Sequence, residues 1–491
     1  MKKVILSIIL LNTICAISCK EQAEVIEKTE KKPLNVVLIL TDDQGYHLSA
    51  VGTKGISTPN VDELAKNGML FTNSFAVVPS CSPSRSSIMT GMYPHANGHW
   101  RNTITPKLDD PDSEFGRDSK RVDKVGIHEY INTLPEILQQ NGYFTAITQK
   151  FHMSPPWKFP YNERNPVQND PEEFKKVISK FIDDAGEKPF FFQANIAPPH
   201  RNFDHHMEKF PEMIPNPDAI EIPAYLADTS TMRADLANYY GSVQLADACA
   251  GAIIETLKKK GLLENTLIIY TGDQGEPYHR AKASPYYAGL HVPLVASGPD
   301  VVKNKVSDAL ISHIDIMPTI LDYLEIPIPE IVQGHSLRPI FTGNIKKQMD
   351  RPYAFGEHNS HGPIRKEHYP SRMVFDGRYY YIQNLMHEKD YELPADLREE
   401  KGWGNLSYKA TLDAKTTHPI PYQLLKQLES GRPFEELYDM EKDPGQLHNL
   451  AGSEVLKAKQ DELKTALENW RKSTGDVADD PLEIKTRQTE K

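Results

Sequence analysis

Two acidic clusters more than 200 positions apart in the chain carry the same chemistry. Thr41-Asp42-Asp43-Gln44-Gly45 and Thr271-Gly272-Asp273-Gln274-Gly275 both end in Asp-Gln-Gly. Carboxylates gathered in one place force at least one to take a proton unless a cation sits among them. Hard oxygen ligands of this kind suit Ca2+ or Mg2+. Taken singly, each aspartate has a plainer reading as a helix cap or turn residue. A third segment, Cys81-Ser82-Pro83-Ser84-Arg85-Ser86-Ser87-Ile88-Met89-Thr90-Gly91, places a thiol shortly before a proline that suits a first helical turn. A helix starting there would also turn its free N–H groups toward an anion. A buried thiol at a helix start is the plainer reading of Cys81. Lys150, His152, His200 and Lys282 add ionisable groups, although a lone histidine or lysine is usually a surface or core residue.

Four apolar runs would position these groups. Leu34 to Leu40 is rich in branched residues and reads as a buried strand. Phe144 to Thr148 ends in Gln149-Lys150-Phe151-His152, and Phe190 to Ile196 ends in Pro198-Pro199-His200-Arg201. Leu267 to Tyr270 leads into the second Asp-Gln-Gly. Short runs alternating with longer helical patterns imply an α/β domain with a largely parallel sheet. In such a sheet the carboxyl ends of the strands share one edge, where ligands bind. A long helix is expected from about Arg233 to Lys259, stopped at Gly261, with Cys249 as a packed core residue. Further on, Met373 to Ile382 reads as a hairpin turning at Asp376-Gly377. Ser453 is placed to cap a last helix carrying Leu456, Leu463, Leu467 and Trp470. A domain boundary is expected near Pro370, and the polar tail after Asp476 is expected to fray.

The composition is that of a packed globular protein: 491 residues, 39% hydrophobic and 25% charged. A net charge of −11 argues against nucleic acid as a partner. It leaves room for an anionic substrate in a locally positive pocket. No repeat suggests a solenoid. At the start, Lys2 and Lys3 precede an apolar stretch from Val4 to Leu11, too short for a convincing membrane span. Ala16-Ile17-Ser18-Cys19 resembles a bacterial lipobox, with Ala16 where leucine is usual. Residues 1–19 are therefore expected to be a lipoprotein signal peptide, with Cys19 lipidated and 20–32 a tether. Such an exported lipoprotein would sit at the outer membrane, on the periplasmic face or the cell surface; simple secretion to the periplasm is the alternative. Apart from Cys15 and Cys19, only Cys81 and Cys249 remain. A Cys81–Cys249 bridge is one reading for an exported protein, but the surroundings of Cys81 point elsewhere.

Cys81-x-Pro83-Ser84-Arg85 followed by Met89-Thr90-Gly91 fits the sulfatase signature. Pro199-His200-Arg201, Arg233-Ala234-Asp235-Leu236-Ala237, and Glu436-Leu437-Tyr438-Asp439 with Asp443-Pro444 extend the likeness. From about Asn35 to Ala451 the chain resembles type I sulfatases of the alkaline phosphatase superfamily, most of all the heparan N-sulfatase (sulfamidase) group. The resemblance implies an alkaline-phosphatase-like, mostly parallel central sheet flanked by helices over 33–370, with a smaller C-terminal α+β domain over 371–491. It implies that a separate maturation enzyme oxidises Cys81 to formylglycine. A hydrated aldehyde has two hydroxyls: one attacks sulfur and expels the substrate alcohol or amine. Deprotonating the other ejects sulfate and regenerates the aldehyde, so no second attack at sulfur is needed. The resemblance implies one Ca2+, which would be held by Asp42, Asp43, Asp273, the Gln274 side-chain oxygen and an oxygen of the modified Cys81 or of sulfate. Arg85 and Lys150 match positions that hold the aldehyde hydrate and the sulfate. His152 matches the base for the second hydroxyl, and His200 the acid near the leaving atom. Lys282 stands where sulfamidases carry arginine, keeping the charge but losing the bidentate grip. Gln274 stands where they carry asparagine, which moves the carbonyl out by one methylene.

The resemblance thus implies a sulfatase acting on a sulfated polysaccharide or its oligosaccharides. N-sulfated glucosamine of heparan type and algal ulvan, sulfated on rhamnose, are both open. A phosphonate monoester or phosphodiester hydrolase of the same superfamily is a second reading, and a glycan-binding lipoprotein with a decayed site is a third. His358, His361, Arg365 and Arg372 form a basic stretch that reads either as a solvated loop or as a loop that contacts the sugar.

Overall fold

β1 (Asn35–Thr41) is buried along its whole length. Val36, Leu38 and Leu40 enter one core, Val37 and Ile39 another, because successive strand side chains point to opposite faces. A strand apolar on both faces needs a covered sheet. The computed structural model describes residues 32–104, 106–108, 125–344, 351–363, 365–398 and 405–476. The expected signal peptide, Cys19, the tether up to residue 31 and the tail after Asp476 lie outside the described residues.

The remaining strands of the large sheet are β2 (Met69–Phe75), β3 (Phe144–Thr148), β4 (Glu163–Asn165), β5 (Phe190–Ile196), β6 (Thr266–Gly272), β7 (Leu294–Ser297) and β8 (Lys305–Ser312). Their order is β4-β3-β5-β1-β6-β7-β2-β8. Only β7 runs against its neighbours, β6 and β2. The other pairings are parallel, so the sheet is of the alkaline-phosphatase-like kind expected. Thr41 lies opposite both Ile196 and Gly272. The segments after β1, β5 and β6 therefore leave the sheet at one level. Because β7 is antiparallel to both of its partners, β2 runs the same way as β6, and its carboxyl end leads to Cys81 at the same edge.

The long helix runs Ser230–Lys259, starting three residues before the expected Arg233. Thr229 caps it, its hydroxyl accepting the Met232 N–H at 3.1 Å. Gly261 follows with φ 69°. Cys249 is in the core, and Cys81 and Cys249 are free thiols, so the alternative bridge does not form. No described helix is long and apolar enough to cross a membrane.

A second, antiparallel sheet holds β9 (Ala354–Ser360), β10 (His368–Phe375), β11 (Tyr379–Asn384) and β12 (Glu435–Asp439) in the order β12-β11-β10-β9. The β10–β11 hairpin turns at Asp376-Gly377-Arg378. Asp376 accepts the N–H groups of Arg378 at 2.9 Å and Tyr379 at 2.6 Å, and Gly377 takes φ 99°. The boundary expected near Pro370 falls inside β10, and this sheet already begins at Ala354. Its two faces pack against the segment that leads to Cys81: Met373 and Phe375 meet Phe75 and Ala76, while Val374 meets Val77 and Val78. The last helix, Lys457–Thr474, buries Leu463, Leu467 and Trp470. Ser453 does not cap it. The chain enters through a 3-10 turn, Glu454–Leu456, and the Ser453 side chain makes no capping bond.

Candidate active site

Cys81 is the first residue of the helix Cys81–Thr90, which is buried at every position. Pro83 falls in the first turn, where a missing N–H breaks no intrahelical bond. The Ser82 N–H donates to Asn102 Oδ1 at 2.9 Å. Gly91, with φ 65°, closes the helix. Arg85 lies one turn beyond Cys81 on the same face. Its Nε donates to Asp273 Oδ2 at 2.9 Å, and a terminal nitrogen lies 2.8 Å from the same oxygen.

Four strand exits, after β1, β3, β5 and β6, bring the other groups in. Asp43 after β1 has φ 63°, and Gln149 and His152 after β3 have φ 49° and 40°. Such backbones persist in non-glycine residues only where their surroundings hold them, and they gather at functional sites. Asp43 is held by its own N–H on Asp273 Oδ1 at 2.9 Å and by the Tyr239 hydroxyl on its carbonyl at 3.1 Å. After β6, a Cβ on Gly275 would lie 1.8 Å from the Ala288 carbonyl; the close approach that positions Asp273 and Gln274 needs glycine. The two Asp-Gln-Gly segments nevertheless differ. Gln44 Oε1 is taken by Thr41 and Tyr270 hydroxyls at 2.7 and 2.6 Å, whereas Gln274 faces the thiol.

Around Cys81 the side chains converge closely. Its Sγ is 3.9 Å from Asp43 Oδ1 and 3.1 Å from Gln274 Nε2. Lys150 Nζ donates to Asp42 Oδ2 at 2.6 Å. Lys282 Nζ lies 2.8 Å from Asp43 Oδ2 and 2.7 Å from Asp396 Oδ2. His200 Nε2 is 3.8 Å from Asp43 Oδ2, and its Nδ1 donates to the Arg201 carbonyl at 2.5 Å. His152 lines a cavity of about 560 Å3 together with Lys150, Thr103, Lys107 and Asn169. Arg201 forms a buried pair with Asp235 at 2.8 and 2.7 Å, anchoring the turn after β5 to the long helix.

The electrostatics follow from crowding. Burial works to raise Asp42, but Lys150, His200, Arg85 and Lys282 outweigh it and hold the carboxyl well below the usual range. Burial and then Asp42 push Asp273 up, against Arg85 and Lys150. Burial, followed by Lys150 and Arg85, keeps His152 neutral, the form a base needs. Burial also lowers His200, opposed by Asp43. Lys282 is raised well above an ordinary lysine, its two carboxylates outweighing burial.

These residues fit a divalent cation. Ligand atoms of Asp42, Asp43, Cys81 and His200 all lie within 4.8 Å of one another. Asp42 Oδ1 and Gln274 Oε1 are buried acceptors with no hydrogen-bond partner among the described residues. Buried Asp42, Asp43, Asp273 and Asp396 face Arg85, Lys150 and Lys282. A dication among these carboxylates adds positive charge, which an anionic substrate requires. Two expected ligands sit differently from the expectation. Asp273 is absent from that ligand group: the Asp43 and Gln274 N–H groups and Arg85 hold its oxygens. Gln274, one methylene longer than asparagine, turns its amide nitrogen rather than its oxygen toward Asp43 and Cys81. Rotation about its last torsion exchanges the two atoms.

The basic stretch divides. Arg372 is buried against Asp476 at 2.6 and 2.8 Å, and His358 is buried; neither lies in a solvated loop. The Arg365 side chain lies outside the described residues. His361 reaches the site, with Nδ1 3.1 Å from Ser80 Oγ and Nε2 3.8 Å from Asp396 Oδ1. Asp396 and Asn102 carry no motif and escaped the sequence reading.

A buried nucleophile position flanked by carboxylates and fixed cations, at the strand ends of such a sheet, defines a hydrolase class built for an anionic tetrahedral group. Comparison with known proteins makes the class specific. The sulfatase family matches residues 34–326 and the C-terminal region of N-sulphoglucosamine sulphohydrolase matches 277–433. The chain belongs to the sulfatase family, the sulfuric ester hydrolases. It is 29% identical to human N-sulphoglucosamine sulphohydrolase, over 91% of each chain. It is 28% identical to an ulvan-active sulfatase of Formosa agariphila, covering 95% of this chain and 81% of that one. A solved structure in complex with its substrate D-glucosamine-2-N,6-O-disulfate superposes with a TM-score of 0.65 at 20% identity, covering 91% of this chain and 99% of that one.

Proposed function

We propose that this sulfatase releases sulfate from a sulfated polysaccharide or its oligosaccharides, using Cys81 matured to formylglycine and one Ca2+. The observation that carries this reading is the convergence around Cys81 of Asp43, Lys150, His200 and Gln274 from the exits of β1, β3, β5 and β6, with Arg85 one turn along the helix of Cys81 and Lys282 further along the segment after β6. The relatives act, by their names, on N-sulphoglucosamine and on ulvan, which supports a sulfated sugar as substrate. Calcium, bound by Asp42, Asp43 and Gln274 with Asp273 behind them, would screen the sulfate and acidify a nearby hydroxyl. The aldehyde hydrate at position 81 would supply one hydroxyl to accept the sulfuryl group and one to release it. Arg85, one turn along the helix, orients that position. Lys150 binds sulfate oxygens. His152, neutral and beside the cavity, takes the proton of the second hydroxyl. His200 and Lys282 meet at Asp43 Oδ2 and serve the leaving atom. Lipidation at Cys19 and an outer-membrane location belong to the same proposal, on the strength of Ala16-Ile17-Ser18-Cys19. A Cys19→Ala variant should leave the membrane fraction.

The test is expression with a formylglycine-generating enzyme, followed by sulfate release from heparin and ulvan oligosaccharides. Turnover of at least one, lost in Cys81→Ala, is the expected result. Faster turnover of a phosphate diester than of any sulfate, or an unmodified Cys81 in active protein, would refute the reading.

A further inference from the structure

Lys282 Nζ is held at 2.8 and 2.7 Å by two carboxylates from different regions of the chain. Asp43 comes from the exit of β1, and Asp396 from the short turn Ala395–Leu397, more than 100 residues beyond Lys282. Lys282 and Asp396 are both nearly inaccessible to solvent. A lysine ammonium is a point charge on a flexible four-carbon stem, without the planar fork that orients an arginine. Its direction must come from its partners. Asp43 is shared: the same carboxylate oxygen that takes Lys282 also lies 3.8 Å from His200, and the other oxygen faces Cys81 Sγ and Gln274. Asp396, by contrast, is turned to Lys282 and His361. Its Oδ2 takes Lys282, and its Oδ1 lies 3.8 Å from His361 Nε2. His361 in turn lies against Ser80 and Asn102, and Asn102 holds the Ser82 N–H. A polar chain therefore runs from the residues on either side of Cys81, through His361 and Asp396, to the Lys282 ammonium.

We propose that Asp396 is a positioning residue for this reaction: it holds the Lys282 ammonium beside His200, so that Lys282 donates a hydrogen bond to the leaving atom as the S–O or S–N bond breaks. The electron pair of that bond passes to the leaving atom, and the proton it gains comes from the Lys282 ammonium, which is left as the neutral amine. The proposal rests on the sulfatase reading above. Because Asp396 acts through Lys282, the two residues form one unit, and units of this kind show non-additive substitutions.

The experiment is a double-mutant cycle of Lys282→Met and Asp396→Asn in the matured full-length protein, with Asp396→Glu as the conservative variant. Substrates are 4-nitrophenyl sulfate and the most active oligosaccharide of the panel; melting temperature reports folding. Asp396→Asn should lower kcat on the oligosaccharide by about 10- to 100-fold, with KM changed less than about 3-fold. The loss should be smaller on 4-nitrophenyl sulfate, whose phenolate leaves with little help. Asp396→Glu should recover part of kcat, and the double variant should be no slower than Lys282→Met. Additive losses, equal losses on both substrates or a rise confined to KM would overturn the proposal. So would a full loss in Asp396→Glu at an unchanged melting temperature. If Cys81→Ala retains turnover, the sulfatase reading itself fails, an outcome separate from any in the cycle.

Discussion

Replacing Arg372 by Met separates a structural role from a sugar-binding one. Arg372 lies in β10 and Asp476 just after the last helix, each about 1% exposed. Their two contacts, 2.6 and 2.8 Å, form a bidentate pair that ties the second sheet to the end of the chain's last helix. Removing one partner of a buried pair typically costs about 3–5 kcal/mol, because the other charge is left uncompensated. Here Arg471 Nε remains 2.9 Å from Asp476, so the loss belongs near 3 kcal/mol. The unit Pro33–Lys491 carries roughly 1 kcal/mol/K of unfolding entropy. The melting midpoint should therefore fall by about 3 °C, with kcat/KM of the folded protein unchanged. Burial works to raise Asp476, and Arg372, His95 and Arg471 outweigh it, so its folded pKa is depressed. A depressed acid stabilises fully above its unfolded value near pH 4. The gap between wild type and Arg372→Met should hold at neutral pH and narrow as the pH falls below about 4. Differential scanning calorimetry against pH, beside turnover, reads both quantities. An unshifted midpoint with lost turnover would refute the structural role and restore the substrate-contacting loop.

Three further outcomes follow from the site. His200→Ala should lose about 100- to 10,000-fold in kcat, read in steady-state assays; near-normal turnover would remove its role at the leaving atom. Gly275→Ala, whose Cβ would lie 1.8 Å from the Ala288 carbonyl, should displace Asp273 and Gln274 and cost about 100-fold in rate; a wild-type rate would contradict the close packing of that loop. Chelation of calcium should lower the melting temperature by roughly 3 °C if the ion is present at about 100 times its Kd, and added Ca2+ should restore it. Gln274→Asn should keep that shift, and a protein indifferent to chelation would exclude a bound ion.

The short apolar runs were legible because strand burial on both faces leaves continuous branched sequences such as Val36 to Leu40. From the run ends alone the gathering of Asp42, Lys150, His200 and Asp273 at one edge followed, since parallel strands share their carboxyl ends. The hairpin at Asp376-Gly377 was equally local, a turn written in its own residues. Ser453 misled because the chain enters the helix through the 3-10 turn Glu454–Leu456, which leaves the serine a full turn before the first α-helical residue, Lys457.

Sequence alone marked which side chains are candidates for the chemistry, because Cys81, Pro83 and Arg85 form their motif within about one helical turn. Tertiary structure alone decided their partners. Asp396 reaches Lys282, and Arg372 is claimed by Asp476 rather than by a ligand, through contacts spanning more than 100 residues. Contacts made by folding one segment over another depend on the path of the whole chain, and a single unpatterned aspartate carries no local trace of them.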